Sequence, residues 1–126
     1  MIRREKQSGF TFIELLVVVT IIAVLTAVAM VSYVSTNKKS RDTKRKADLQ
    51  EMRSALEIVR AECGSYPSGD IYNLGIVCDA VTYMAAAKMP VDPRSSAIYD
   101  YSSDGVSYQL CASEMENEGQ FCVENP

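Results

Sequence analysis

The hydrophobic pattern of this chain falls into three regimes. From Phe10 to Val34 apolar residues fill nearly every position, and from Leu15 to Asn37 there is no charged side chain. About 20 such residues span a bilayer core as a helix, the one single-segment conformation that satisfies its own backbone in lipid. No Gly or Pro follows Gly9 in this stretch, and Thr20, Thr26 and Ser32 can bond back to their own helix. Further on the period becomes helical. Leu49, Met52, Leu56, Val59 and Cys63 recur at spacings of three and four, with Asp48, Glu51, Arg53, Glu57 and Arg60 left for solvent. With no breaker before Gly64, one helix is predicted from about Thr11 to Glu62, on the order of 80 Å at ~1.5 Å per residue. Its first half, apolar all round, must lie in lipid or in the core of a multi-subunit bundle.

Gly64 and Pro67 end the helix, and the stretch to Met89 reads as irregular or as a short helix near Val81 to Lys88. After the MPVDP punctuation, AIYDYS and VSYQLCA alternate about a polar SDG turn and predict a β-hairpin, with a third strand at Gln120 to Val123. A three-stranded antiparallel sheet laid on the amphipathic half of the helix would bury its stripe. The fold class expected is therefore α+β. Three segments are expected: a leader over 1–9, a membrane or bundle helix over 10–37, and a globular domain over 38–126 that includes the amphipathic half-helix.

Composition narrows the function. The 126 residues leave room for one small domain, and a net charge of -3 gives no general reason to expect a nucleic-acid binder. Histidine is absent, which removes the commonest general base and metal ligand, so no enzyme and no cofactor is expected. Charge is unevenly placed: Lys38 to Lys46 holds six basic residues and one acidic, whereas Ala61 onward holds two basic and ten acidic.

One carboxylate, Glu14, sits near the start of the apolar run, where a charge costs roughly 2.5–3.5 kcal/mol on insertion scales and calls for a partner. Nothing basic lies within helical reach downstream. The nearest cation would be an amine made by cutting after Gly9, four residues before Glu14; within one chain or between staggered chains the pair would set register.

A basic leader, MIRREKQSG, followed by FTFIELLVVV resembles the class III signal of type IV pilins and the related pseudopilins of type II secretion. The later order, RDTKRKADLQEMRSALEIVRAECGSYP, then MPVDP and Tyr-rich strands, is similar to the same family at the level of pattern. The resemblance implies cleavage after Gly9 by a prepilin peptidase, N-methylation of Phe10, and Glu14 as the assembly residue. It implies a structural subunit of a type IV pilus-like filament, built with copies of itself, other pilins and a membrane assembly platform, with a type II secretion pseudopilin as the alternative. The chain would be single-pass in the cytoplasmic membrane, N-terminus inside, its domain extracellular or periplasmic. Two features depart from expectation: the family's helix-breaking Pro is missing from the apolar segment, and the cations after that segment outnumber Arg3, Arg4 and Lys6 before it, against the positive-inside bias. A membrane-anchored binding domain that never polymerises is the rival from another class. A secretory signal cut after Ala27-Val28-Ala29 is a further one, opposed by the length of its apolar run.

Cys63, Cys78, Cys111 and Cys122 are an even set in a domain expected outside the cytoplasm, which reads as two disulfides. Pairing of neighbours, Cys63 with Cys78 and Cys111 with Cys122, closes local loops, although four cysteines allow three connectivities. A four-thiolate zinc site lacks the C-x-x-C spacing. Asp92, Asp100 and Asp104 flank the hairpin, and some pseudopilins hold calcium in a comparable loop; without ligand spacing, solvated acids are the preferred reading. Glu114, Glu116 and Glu118 read as a charged edge. The basic run, with no interleaved aromatics, is expected to meet lipid headgroups and acidic faces of neighbouring subunits rather than DNA.

Overall fold

The computed structural model describes residues 9–125, so the leader cations Arg3, Arg4 and Lys6 lie outside the described residues. Helix α1 runs Phe12–Cys63, followed by a short helix α2 (Ile71–Leu74), strands β1 (Ile76–Cys78) and β2 (Val81–Met84), a 3-10 turn at Ala86–Lys88, and strands β3 (Asp100–Ser103), β4 (Tyr108–Ala112) and β5 (Phe121–Glu124). The long apolar helix and small antiparallel sheets are an α+β, pilin-like architecture. Two compact units divide between Thr36 and Asn37.

In the first unit the helix is exposed on every side: Phe12 is 85% accessible, and even Leu16 is 47%. It is one helix long and apolar enough to cross a membrane. Water would meet the whole of that surface, at about 25 cal/mol per Å², so the segment is built to be covered. Thr20 and Thr26 return their hydroxyls to Val17 O and Ile22 O, each at 2.8 Å, and so add no unpaired polar group to the surface.

In the second unit the helical stripe is the core. Leu49, Met52 and Leu56 are fully buried, Val59 is nearly so, and Ala55 widens the face. Tyr108, Leu110, Ala112 and Val123, from alternate positions of β4 and β5, join the same cluster. The sheet runs β3-β4-β5, antiparallel throughout, with Tyr101 opposite Leu110 and Leu110 opposite Val123. Gly64 closes the helix at φ 78°, its N–H on Arg60 O at 2.9 Å, as a C-terminal glycine does.

Three expectations need correction. The stretch expected to be irregular or helical over Val81 to Lys88 instead opens with a strand: β2 pairs with β1, Cys78 opposite Val81, and only Ala86–Lys88 turns helically. Gly75 permits this, since a Cβ there would sit 2.7 Å from Met84 O. Asp48 is buried rather than solvated, because its carboxylate accepts from the Tyr99 hydroxyl at 2.9 Å and from Lys44 at 3.0 Å. Cys63, though in register with the stripe, is exposed beyond the end of the core.

Candidate functional site

The N-terminal site is set by how the helix begins. Gly9 and Phe10 precede the helix in exposed backbone, with Phe10 89% accessible. Among the described residues nothing lies within 4 Å of where a Gly9 side chain would be. Thr11 stands at the N-cap. Its amide and hydroxyl donate to Glu14 Oε2 at 2.8 and 2.7 Å, and the Glu14 N–H returns to Thr11 Oγ1 at 3.3 Å. This is a capping box, which pairs two helix-end donors reciprocally. Sequence reasoning sought a cation for Glu14 and missed this hydroxyl, although the Thr-x-x-Glu spacing signals it. Before any cut, Glu14 thus has partners from its own chain, one residue beyond Phe10. An amine created at Phe10 would arrive beside a carboxylate already oriented toward the helix start.

The second site is a charged cluster at the start of the globular unit. Arg45, fully buried, donates from Nε and Nη2 to the two Asp92 oxygens at 2.5 and 3.1 Å, and from Nη1 to Asp42 Oδ1 at 2.7 Å. Asp42 also accepts the backbone N–H groups of Glu116 and Asn117 at 2.9 and 3.0 Å. Arg41 pairs with Glu116 through both guanidinium and carboxylate, and Lys46 reaches Glu118 at 2.6 Å. No buried side-chain nitrogen or oxygen among the described residues lacks a partner. The Arg45 guanidinium holds the Asp92 carboxyl far below the usual range, and Asp92 in turn raises Arg45. Burial pulls the Asp42 carboxyl upward, but the bonds from Glu116, Asn117 and Arg45 outweigh it and leave it lowered. Arg41 lowers Glu116.

This cluster corrects the expected role of two charge runs. Arg41, Lys44, Arg45 and Lys46 each meet a carboxylate of their own unit, and Arg45 is wholly buried there. Glu116 and Glu118 do not merely fend off other strands; they fasten the 113–120 loop to α1. Asp92, Asp100 and Asp104 do not converge. Asp92 is in the cluster, Asp100 lies opposite Cys111 at the start of β3, and Asp104 accepts the Val106 and Ser107 N–H groups at 2.9 and 2.6 Å in the hairpin turn.

The four cysteines form two bridges, Cys63–Cys78 and Cys111–Cys122. The first fastens the end of α1 to β1, and the second joins directly opposed positions of β4 and β5. Asp79 lies beside the first pair, but its sulfurs are bonded to each other and are not thiolate ligands.

Residues 4–30 match the family described as the prokaryotic N-terminal methylation motif. The chain is 35% identical over 66 residues to type II secretion system core protein G of Pseudomonas aeruginosa, covering 52% of this chain and 46% of that protein. It is 34% identical over 83 residues to prepilin peptidase-dependent protein D of Escherichia coli, covering 66% and 57%. Core protein G of Vibrio cholerae is 29% identical over 70 residues, covering 56% and 48%. The chain thus spans about half the length of these relatives. No solved structure matches it.

Proposed function

We propose that this chain is a member of the pilin and pseudopilin family and a structural subunit of a pilin-like filament, not an enzyme, a reading that the N-terminal motif, the relatives and the α+β architecture support. The observation that carries the reading is the pairing of the methylation motif with a helix whose apolar surface is bare on every side. Such a surface suits two successive environments. Lipid covers it first, and the equivalent helices of other subunits cover it in a fibre, where identical patch pairs repeat without closing.

In this reading a prepilin peptidase cuts after Gly9 and Phe10 is N-methylated. The 1–9 leader is lost, 10–37 anchors the subunit and then fills the filament core, and 38–126 stays on the non-cytoplasmic side. Glu14 sets register by meeting the new amine of its own chain or a neighbour's. The type II secretion names of several relatives favour a secretion pseudopilus, and a type IV pilus is the second reading.

The first test is the mass of the N-terminal peptide from the native membrane or filament fraction. A start at Phe10 with one methyl group is expected; a retained Met1 would support the anchored domain that does not polymerise, and a start at Met30 a secreted one. Removing the gene then separates the two filaments, because a pseudopilin's loss stops release of exported proteins whereas a pilin's loss strips surface fibres.

A further inference from the structure

The folded unit divides the basic run into committed and uncommitted cations. Arg41, Lys44, Arg45 and Lys46 each meet a carboxylate of the same unit, at Glu116, Asp48, Asp42 with Asp92, and Glu118. Lys38 and Lys39 are exposed, and among the described residues neither has a carboxylate at ion-pair distance. They are also the first charges after the apolar segment, following Asn37 directly in the chain. We infer that Lys38 and Lys39 bind the anionic headgroups of the leaflet from which the apolar segment emerges toward the globular unit.

The inference rests on the membrane-anchored reading above. An ammonium on a flexible four-carbon stem can lay its methylenes along apolar surface and keep its charge among phosphates. The carboxylates that would otherwise compete are already occupied: Asp42 by Arg45 and the Glu116 and Asn117 amides, Glu116 by Arg41, Glu118 by Lys46. Within the basic run, internal pairing therefore leaves free positive charge only at the two positions nearest the apolar segment in the chain. Attraction there falls off within a Debye length, so residues at the membrane edge gain most from it.

The test uses the full chain reconstituted in vesicles of equal phosphatidylglycerol and phosphatidylcholine, with retained lipid identified by native mass spectrometry after extraction. Phosphatidylglycerol should be retained in preference, by about fivefold per lysine. The preference should vanish in the Lys38→Gln/Lys39→Gln double variant and persist in Lys44→Gln, whose ammonium is held by Asp48. Carbonate extraction in parallel separates two kinds of failure. A wild-type chain released by carbonate overturns the anchored reading and this inference together. A chain that stays inserted but shows no preference, or keeps its preference in the double variant, overturns the inference alone. Unchanged lipid retention with collapsed filament yield in that variant would assign the two lysines to the acidic surface of a second copy instead, and would also overturn it.

Discussion

Arg45 is the residue on which the globular unit's charged interior turns. Removing Asp92 from this buried, hydrogen-bonded cluster leaves the Arg45 Nε and Nη2 donors without their carboxylate and only Asp42 in close contact with the guanidinium, so Asp92→Asn should lower unfolding free energy by about 3 kcal/mol, read from denaturant titration. A loss below about 1 kcal/mol would show that the pair is a surface one in effect. The acid response has a definite sign. Asp92, Asp42 and Glu116 all have carboxyls lowered by folding, so their contribution is full above the ordinary carboxylate range near pH 4 and is lost as pH falls through the folded values. The melting temperature should therefore hold from pH 7 to about pH 5 and fall steadily below pH 4. The alkaline side differs, because burial raises the Tyr99 and Tyr108 hydroxyls, and their contribution is present below about pH 10 and lost above it. None of this was legible in the sequence: Arg45 and Asp92 lie 47 residues apart, and Asp42 and Glu116 lie 74 apart. A basic run looks the same on paper whether its charges face solvent or each other.

At the scale of elements, α1 was legible because its signals are long and agree. A run without breakers, a stripe at spacings of three and four, and a terminal glycine all predict one helix, and its bounds, Phe12–Cys63, differ from the expected ones by a residue at each end. The sheet was legible less sharply. Strands β3 and β4 are shorter than AIYDYS and VSYQLCA, since the ladder between them pairs only Asp100–Ser103 with Cys111–Tyr108. The β1 and β2 hairpin was missed because strands of three and four residues show too little alternation to be told from loop, and Val81 is exposed. Two consequences can be measured. Leu56→Ala, at a fully buried position on the helical stripe, should cost about 2–5 kcal/mol of stability. Replacing Cys63 and Cys78 together by serine should cost about 3 kcal/mol, the value for closing a loop of about 15 residues, with the sheet's circular-dichroism signature retained.

At the scale of the molecule, the chain combines a unit that cannot stay in water with one that can. The core, both disulfides and the Arg45 cluster all belong to residues after Thr36, so the globular unit does not draw on the apolar segment for any of them. From Asn37 onward there are 10 basic and 14 acidic residues, a net charge of -4 that favours solubility. The apolar segment has the opposite character, with no buried residue in its most hydrophobic window. A chain beginning at Asn37 should therefore be soluble without detergent, sediment as a monomer and unfold cooperatively, whereas the full chain should require detergent or lipid and associate when they are withdrawn. Glu14→Ala in the full chain should leave membrane insertion intact, since it removes a charge from the apolar run, and should lower filament yield sharply if the carboxylate sets register as proposed. Thr11→Ala separates the two roles of that carboxylate. It removes the hydroxyl that caps the helix, which costs about 1 kcal/mol locally, but leaves the charge in place. If Glu14 acts by meeting an amine, the Thr11→Ala chain still assembles; if both variants fail to the same degree, the carboxylate's work is the cap, and the register of the filament has to be set elsewhere.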